Sequence, residues 1–504
     1  MFDSCFACPP DIYGIVCKND VYQPRFGHWW KFLNDTNRQL YKRFTDNLFS
    51  DDFVVKGDVT HYFGPFPRQN QCFSNKSCEA GPMSICRKGH EGPLCDVCKS
   101  GYYKQLKLCY KCPSKERIIG ELSLIAAVII LITMVVVWRK KKQNMKKQHR
   151  SFLDRILSRM KIIVGFYQVT FGVVDAFSYI EWPDALAEFG VYFDLLQLNI
   201  FQIAPLNCVF PNLEMNAFKR LYALLIVNGG VVVLAFLVYG LWRVLLTCAS
   251  QEKKAKKISQ AKQTVYTAVF VVFYITYLST CSSTANINPL ACYQVCYDEN
   301  KTVCNMFLKG DFSVDCEREE FRKYHFVGYL TVIYIAFLPT AALFILWRQR
   351  QAQMLSVGQS PGTFISTKKK SSSSDLANGL RFLHENYRGE FWYWEFVETA
   401  RKVALTSGII LVGKKSRAYI GVVCGFSGLY GMYVAHAVPL VDYSEYTLMV
   451  VNLAVTFFNL GIGTSGKIPA EEARNLKESF MDHMAFQVIV IAANFSVVGL
   501  LFCK

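Results

Sequence analysis

Residues Ile118–Arg150 read IIGELSLIAAVIILITMVVVW followed at once by RKKKQNMKKQHR, and this stretch decides how the rest of the chain is read. The first 21 residues, Ile118–Trp138, contain a single ionisable side chain, Glu121. At about 1.5 Å rise per residue they make a helix of roughly 30 Å, the thickness of a bilayer's hydrocarbon core. The next twelve residues hold seven Lys or Arg. Cytoplasmic flanks collect these residues, so everything before Ile118 is expected outside the cell and everything after Arg150 weaves through the membrane.

Composition agrees. The 504 residues are 52% hydrophobic, 15% aromatic and only 19% charged, with a mean hydropathy of +0.18, which excludes an ordinary soluble enzyme. A net charge of +17 in a soluble chain would point to nucleic acid. Here the charge lies in short loops beside apolar segments, so orientation and anionic lipid headgroups account for it and no nucleic-acid partner is expected.

Eight more apolar segments follow, near Lys161–Ile180, Leu221–Cys248, Thr264–Ser283, His325–Trp347, Phe396–Val412, Ala418–His436, Leu448–Thr464 and Met484–Cys503. The expected fold is therefore an all-α polytopic membrane protein of about nine transmembrane helices. Its N-terminus is outside and its C-terminus inside, with a small, loop-dominated, disulfide-rich ectodomain and a plasma-membrane location. The basic strings QEKKAKK (251–257) and RQRQ (348–351) then fall inside, as the charge rule requires. GKKSR (413–417) falls outside, against it. Asp184–Pro205, with three acidic side chains, is expected as an amphipathic surface segment rather than a span. Five regions result: an extracellular segment at 1–71, a cysteine-rich module at 72–117 and spans one to five at 118–347. A flexible basic linker at 348–384 follows, then the aromatic motif and spans six to nine at 385–504.

Sixteen of the nineteen cysteines fall outside in this scheme, including Cys208 and Cys281. Cys95-x2-Cys98 and Cys109-x2-Cys112 have the spacing of a four-thiolate zinc site. In an oxidising compartment the same thiols form disulfides, because a small cysteine-dense module has too little core to fold without them. Disulfides are expected at Cys72, Cys78, Cys86, Cys95, Cys98, Cys109, Cys112, Cys292, Cys296, Cys304 and Cys316, with no metal and no cofactor. Sequons at Asn34, Asn75 and Asn300 are glycosylation candidates, whereas that at Asn494 lies in a span. The opening residues 1–17 show no basic-then-apolar leader, so residues are expected to precede Met1.

Glu385–Val412, ENYRGEFWYWEFVETARKVALTSGIILV, is the most distinctive string. Trp392, Tyr393 and Trp394 suit a membrane interface. Glu395, Glu398 and Arg401 recur at three-residue spacing and stack on one helical face beside Lys402. Two readings stand open: an interfacial anchor helix with solvated charges, or a coupling helix whose charges pair inside the bundle. Asp175 is the clearest mid-span carboxylate and shares a face with Gln168. Asn452 and Asn459 share another, giving four candidates for an ion path or for buried polar contacts. Pro339 and four glycines of the seventh span permit kinks and close packing. No P-loop, zincin or nucleophile-elbow motif occurs, so neither a catalytic residue nor an enzyme is expected.

The string CRKGHEGPLCDVCKSGYYKQLKLCYKCP (86–113) resembles laminin-type EGF repeats in its Gly-x-Leu-Cys step, Cys-x2-Cys step and Gly-Tyr-Tyr turn. From KIIVGFYQVTF (161–171) through FSVDCEREEFRKYHFVGYLTVIYIAFLPTAALFILWR (312–348) to FWYWEFVETARK (391–402), the order of features resembles protist and invertebrate membrane proteins. In those proteins cysteine-rich repeats precede a block similar to transient-receptor-potential-like channels of the flavin-carrier type. The resemblance implies a cation channel with a sensing or tethering ectodomain, an extracellular protein ligand and homo-oligomers. The expected filter is missing, because the loop Ser465–Ser479 is a 15-residue polar run. Two competing classes remain: a non-conducting receptor or adhesion protein, and a lipid or small-solute transporter.

Overall fold

A computed structural model describes residues 15–18, 21–49, 62–105, 108–120, 123, 152–177, 180, 182–183, 208, 216–245, 251–357, 376–377, 379–412, 417–465 and 494. The first expected span apart from 118–120 and 123, the Asp184–Pro205 segment, GKKS (413–416), the loop after Ser465 and, except for Asn494, the ninth span lie outside these residues.

The N-terminal part is built from two-residue and four-residue ladders. Hairpin β1 (Ile15–Lys18)–β2 (Val21–Pro24) is followed by β3 (His28–Trp29), helix α1 (Asp35–Phe49) and β4 (Asn70–Gln71), which pairs with β3. The hairpins β5 (His90–Glu91)–β6 (Val97–Cys98) and β7 (Tyr102–Gln105)–β8 (Leu108–Lys111) complete the module. Ladders this short do not hold themselves. Disulfides Cys72–Cys78, Cys86–Cys95 and Cys98–Cys109 hold them instead. The four thiols with zinc spacing are thus all bonded in pairs, because the fourth joins Cys208, 96 residues away. Gly89 sits at φ +90°, and a Cβ there would lie 2.4 Å from the Tyr102 ring, so only glycine lets the chain turn under that ring.

Helices α2 (Phe152–Ala176), α3 (Ala217–Leu245) and α4 (Gln251–Asn286) come next. A three-stranded antiparallel sheet follows, β9 (Cys292–Cys296), β10 (Cys304–Leu308) and β11 (Asp311–Asp315), stapled by Cys292–Cys316 and Cys296–Cys304. The chain then forms α5 (Glu319–Val357), α6 (Trp394–Val403), a π-helical turn (Ala404–Gly408), α7 (Ile409–Val412), α8 (Arg417–Ala437) and α9 (Tyr443–Ser465). Among the described residues, five helices are long and apolar enough to cross a membrane: 217–244, 261–286, 321–352, 419–437 and 443–465.

Contacts at the helix ends set their directions. Arg159 reaches Ser444 at 2.5 Å where α2 and α9 begin, and Trp182 packs on Gly463 where they finish, so the two run parallel. Thr406 lies against Gly172 and Lys402 against Gly165, placing α6 and the π turn parallel to α2. Phe177, Ala285 and Ile410 meet in one cluster at the far ends of α2, α4 and α7. α3 runs against α4, where the Thr276 hydroxyl donates to Asn228 Oδ1 at 2.8 Å. α5 also opposes α4. Pro339 lacks the N–H that would bond Ile335 C=O, and the Tyr277 hydroxyl of α4 donates to that carbonyl at 3.1 Å. The helices thus alternate in direction along the chain.

The cysteine-rich module docks on the sheet between α4 and α5. Trp29, Phe73, Leu94, Val295, Phe307 and Phe312 share one buried cluster, and Asn70 Nδ2 donates to Cys296 O at 2.8 Å. Three expectations change. The linker expected at 348–384 is folded at both ends: α5 continues to Val357, and Ala377, Leu380 and Leu383 are buried. The helix continues there because its solvent-side residues, RQRQAQ, are good helix formers without Gly or Pro. Cys281, counted among the external cysteines, is a free thiol buried in α4. The sixth segment is one continuous rod only if its π turn is included.

A buried ionic cluster as the candidate functional site

α6 carries Glu395, Glu398, Arg401 and Lys402 on a single face because residues three and four apart share a face of an α-helix. That face points into the bundle. Relative exposures are 2% for Glu395, 9% for Glu398 and 6% for each of Arg401 and Lys402, and Trp394 is wholly buried. An interfacial anchor with solvated charges is therefore ruled out. The helix faces inward because α2 offers two glycines at the contact. A Cβ on Gly165 would sit 2.4 Å from Lys402 Nζ, and one on Gly172 would sit 2.4 Å from Thr406 Cγ2. The tryptophans also do something other than anchor. Trp394 packs among Tyr430, Val434 and Met449, and the half-buried Trp392 receives the Arg350 guanidinium 5.8 Å from its ring.

Each carboxylate has its own set of donors. Lys161 of α2 lies 2.6 Å from Glu395 Oε2. The hydroxyl of Tyr274 on α4 donates to Oε1 at 2.5 Å, and that of Tyr387 donates to Oε2 at 2.8 Å. Lys161 also lies over the Tyr274 and Tyr387 rings, 5.3 and 5.9 Å from their centroids. Glu398 accepts both arms of Arg401, Nε at 3.0 Å and Nη2 at 2.5 Å, and the Tyr430 hydroxyl of α8 at 2.7 Å. Tyr387 is placed by a short ladder to the α8–α9 turn, in which Arg388 N donates to Pro439 O and Val441 N to Asn386 O. Four helices and this turn thus converge on the α6 face. Burying an ion costs several kcal/mol even after relaxation, on the order of the whole stability of a domain, so the two carboxylates persist as charges because they are bonded this fully.

Beside the cluster is a small cavity of about 30 Å³, room for about two waters. The four charged residues of α6, Glu395, Glu398, Arg401 and Lys402, line its polar side together with Lys161, Tyr387, Asn452 and Thr456, and Phe166, Met449 and Leu453 line its apolar side. The π turn begins two residues past Lys402; such turns recur at functional sites, where they rotate a helix face.

The structure distributes the expected site residues as follows. Glu395, Glu398, Arg401 and Lys402 come together, with Asn452 on the cavity wall. Asn459 pairs reciprocally with Asn494 at 3.0 and 3.3 Å, a helix–helix contact. The sequon asparagine Asn494 is buried there. Gln168 is half-buried on α2. Asp175 is in the last turn of α2, 14 residues beyond Lys161, or about 21 Å along the helix, and its side chain lies outside the described set. Asn34 and Asn300 are exposed, the latter in the β9–β10 turn; the Asn75 side chain lies outside the described set. Lys161, Tyr274, Tyr387 and Tyr430 were not singled out from sequence. A lysine inside the apolar run of α2 was the one available signal, and no spacing rule connects it to Glu395, 234 positions away.

No family model, curated protein or solved structure matches this chain.

Proposed function

We propose that this is an ion-translocating, channel-like protein of the plasma membrane in which the α6 cluster forms a closed gate. The observation that carries the reading is the set of four ionisable side chains buried together inside an apolar helical block, joined by the half-buried Lys161 and followed by a π turn. Structural contacts between helices are made more cheaply from apolar and small residues, so buried charge marks a functional site. In this reading the disulfide-stapled module and sheet face the exterior. The ends of α3, α4 and α5 that carry Arg243, QEKKAKK and RQRQ face the cytosol, where they meet anionic lipids. The sheet links α4 directly to α5, and α4 supplies Tyr274 to the cluster, so a protein ligand pulling on the ectodomain has a short route to the gate. Cation selectivity, expected from the channel resemblance, is not favoured by a site holding three cations and two anions. The test is macroscopic current or ion flux from the full chain behind a secretion leader. Flux altered by Glu398→Gln at unchanged surface level supports the proposal. Surface protein without flux under any ion gradient defeats it and leaves a receptor.

A further inference from the structure

The cluster does not close electrically. Lys161, Arg401 and Lys402 bring three positive charges, and Glu395 and Glu398 bring two negative ones. The excess has a location. Lys161 is satisfied by Glu395 and two aromatic rings. Lys402, by contrast, has its nearest carboxylate oxygen at 4.0 Å, beyond hydrogen-bond reach. Arg401 spends Nε and Nη2 on Glu398, and its Nη1, fully shielded, has no partner. Both residues line the 30 Å³ cavity, as do Glu395 and Glu398.

We infer that this cavity is a binding site for one small monovalent anion, a halide or the carboxylate end of a small acid, held by Lys402 Nζ beside the Arg401 guanidinium. One negative charge there brings the five-residue cluster to zero and supplies an acceptor to Lys402 Nζ. The volume suits an ion about the size of a water molecule or slightly larger and excludes a phosphate with its hydration. Thr456 on α9 provides a hydroxyl on the same wall, but it donates to Asn452 O at 2.8 Å, so the two cations are the recognising groups. Phe166, Met449 and Leu453 form the other side, and an apolar wall strengthens the charge–charge attraction. The π turn brings binding and motion together. Lys402 precedes it, so an anion that draws Lys402 Nζ toward the cavity moves the residue next to the turn. The inference builds on the α6 cluster as the functional site but does not require translocation.

The experiment measures the melting temperature of the detergent-solubilised full chain. Chloride, bromide, formate or acetate replaces a large, excluded anion such as gluconate at constant ionic strength and pH. A saturable upward shift with the small anions supports the site. Halides acting without formate or acetate identify an inorganic ion, and the reverse identifies a carboxylate. In Lys402→Gln the half-saturating concentration is expected to rise at least about tenfold, the loss of one charge-assisted hydrogen bond. If that variant does not fold, a bromide-specific anomalous peak between Lys402 and Arg401 in wild-type crystals supports the site, and its absence overturns it. Equal melting temperatures in every anion also overturn it. A shift without any flux leaves the anion site standing and removes only the proposed gate.

Discussion

Glu398→Gln, Arg401→Gln and their combination test whether the α6 charges act as one unit, and the geometry predicts unequal costs. Glu398 accepts three donors, two from Arg401 and one from Tyr430. Glutamine keeps one carbonyl oxygen but turns an NH2 toward a guanidinium N–H. Arg401 then loses a bond and its only counter-charge while staying 6% exposed. Breaking a buried pair from one side costs about 3–5 kcal/mol. Arg401→Gln should cost less, about 1–3 kcal/mol, because Tyr430 still donates and Lys402, now 4.0 Å from Oε1, can close on the carboxylate. Glu395 cannot rescue Arg401 in the same way, since Lys161, Tyr274 and Tyr387 already occupy it. The double variant removes both charges and restores the original balance, so it should cost no more than Glu398→Gln alone. Independent sites would instead give the sum, about 4–8 kcal/mol, from these two ranges. The assay is unfolding of the purified protein by SDS titration in mixed micelles, with surface expression as control. A double variant within about 0.5 kcal/mol of the sum would show that the two residues do not interact and refute the reasoning.

Three further outcomes are expected. Bulk on α2 should push α6 away, so Gly172→Val should destabilise by about 1–3 kcal/mol through overpacking against Thr406, read in the same titration, and Gly229→Val, with open space, should not. His90 is neutral by design: with its Nδ1–H donating to Cys95 O at 2.9 Å, its Nε2 accepts Cys109 N–H at 3.1 Å. Burial holds its pKa below the ordinary 6.5, so the unfolded state binds more protons in the window from 6.5 down to the depressed value. The module's protease resistance should therefore be constant above pH 6.5, fall as acid passes through that window, and lose part of that dependence in His90→Gln, the rest belonging to His28, whose pKa burial also lowers. Finally, nicking the basic stretch after the first span should leave two fragments that co-migrate on a non-reducing gel and separate with reductant, because Cys112–Cys208 bridges the cut; separation without reductant would disprove the bridge.

Local physics made much of this protein legible before any coordinates. Apolar run length predicted the apolar part of each helix at 217–245, 251–286, 319–357, 417–437 and 443–465, because crossing a bilayer demands a minimum of consecutive apolar side chains. The longest miss was at 251–263 and 348–357, where charged and polar residues continue the helices beyond any apolar signal. Helical spacing predicted that Glu398 and Arg401 pair, since an i, i+3 contact needs only the helix itself. Which way that face points was not legible. The same WYWEFVETARK suits a headgroup anchor or a buried gate, and Gly165 and Gly172, over 220 positions earlier, decided it by leaving room.

Sequence by itself determined a membrane-type helical block, a disulfide-held N-terminal module, and a basic flank for each expected cytoplasmic turn of the early helices. These follow from composition, run length and compartment chemistry, all of which are local. Tertiary structure alone decided that Cys112 bonds Cys208, that the module rests on the β9–β11 sheet, and that Lys161 meets Glu395 between two tyrosines. It also decided that Lys402 and Arg401 face a cavity with one positive charge in excess. The physical reason is that electrostatic balance belongs to a volume rather than to a segment: the five charges sit on two helices whose closest members are 234 positions apart, and no periodicity adds them up.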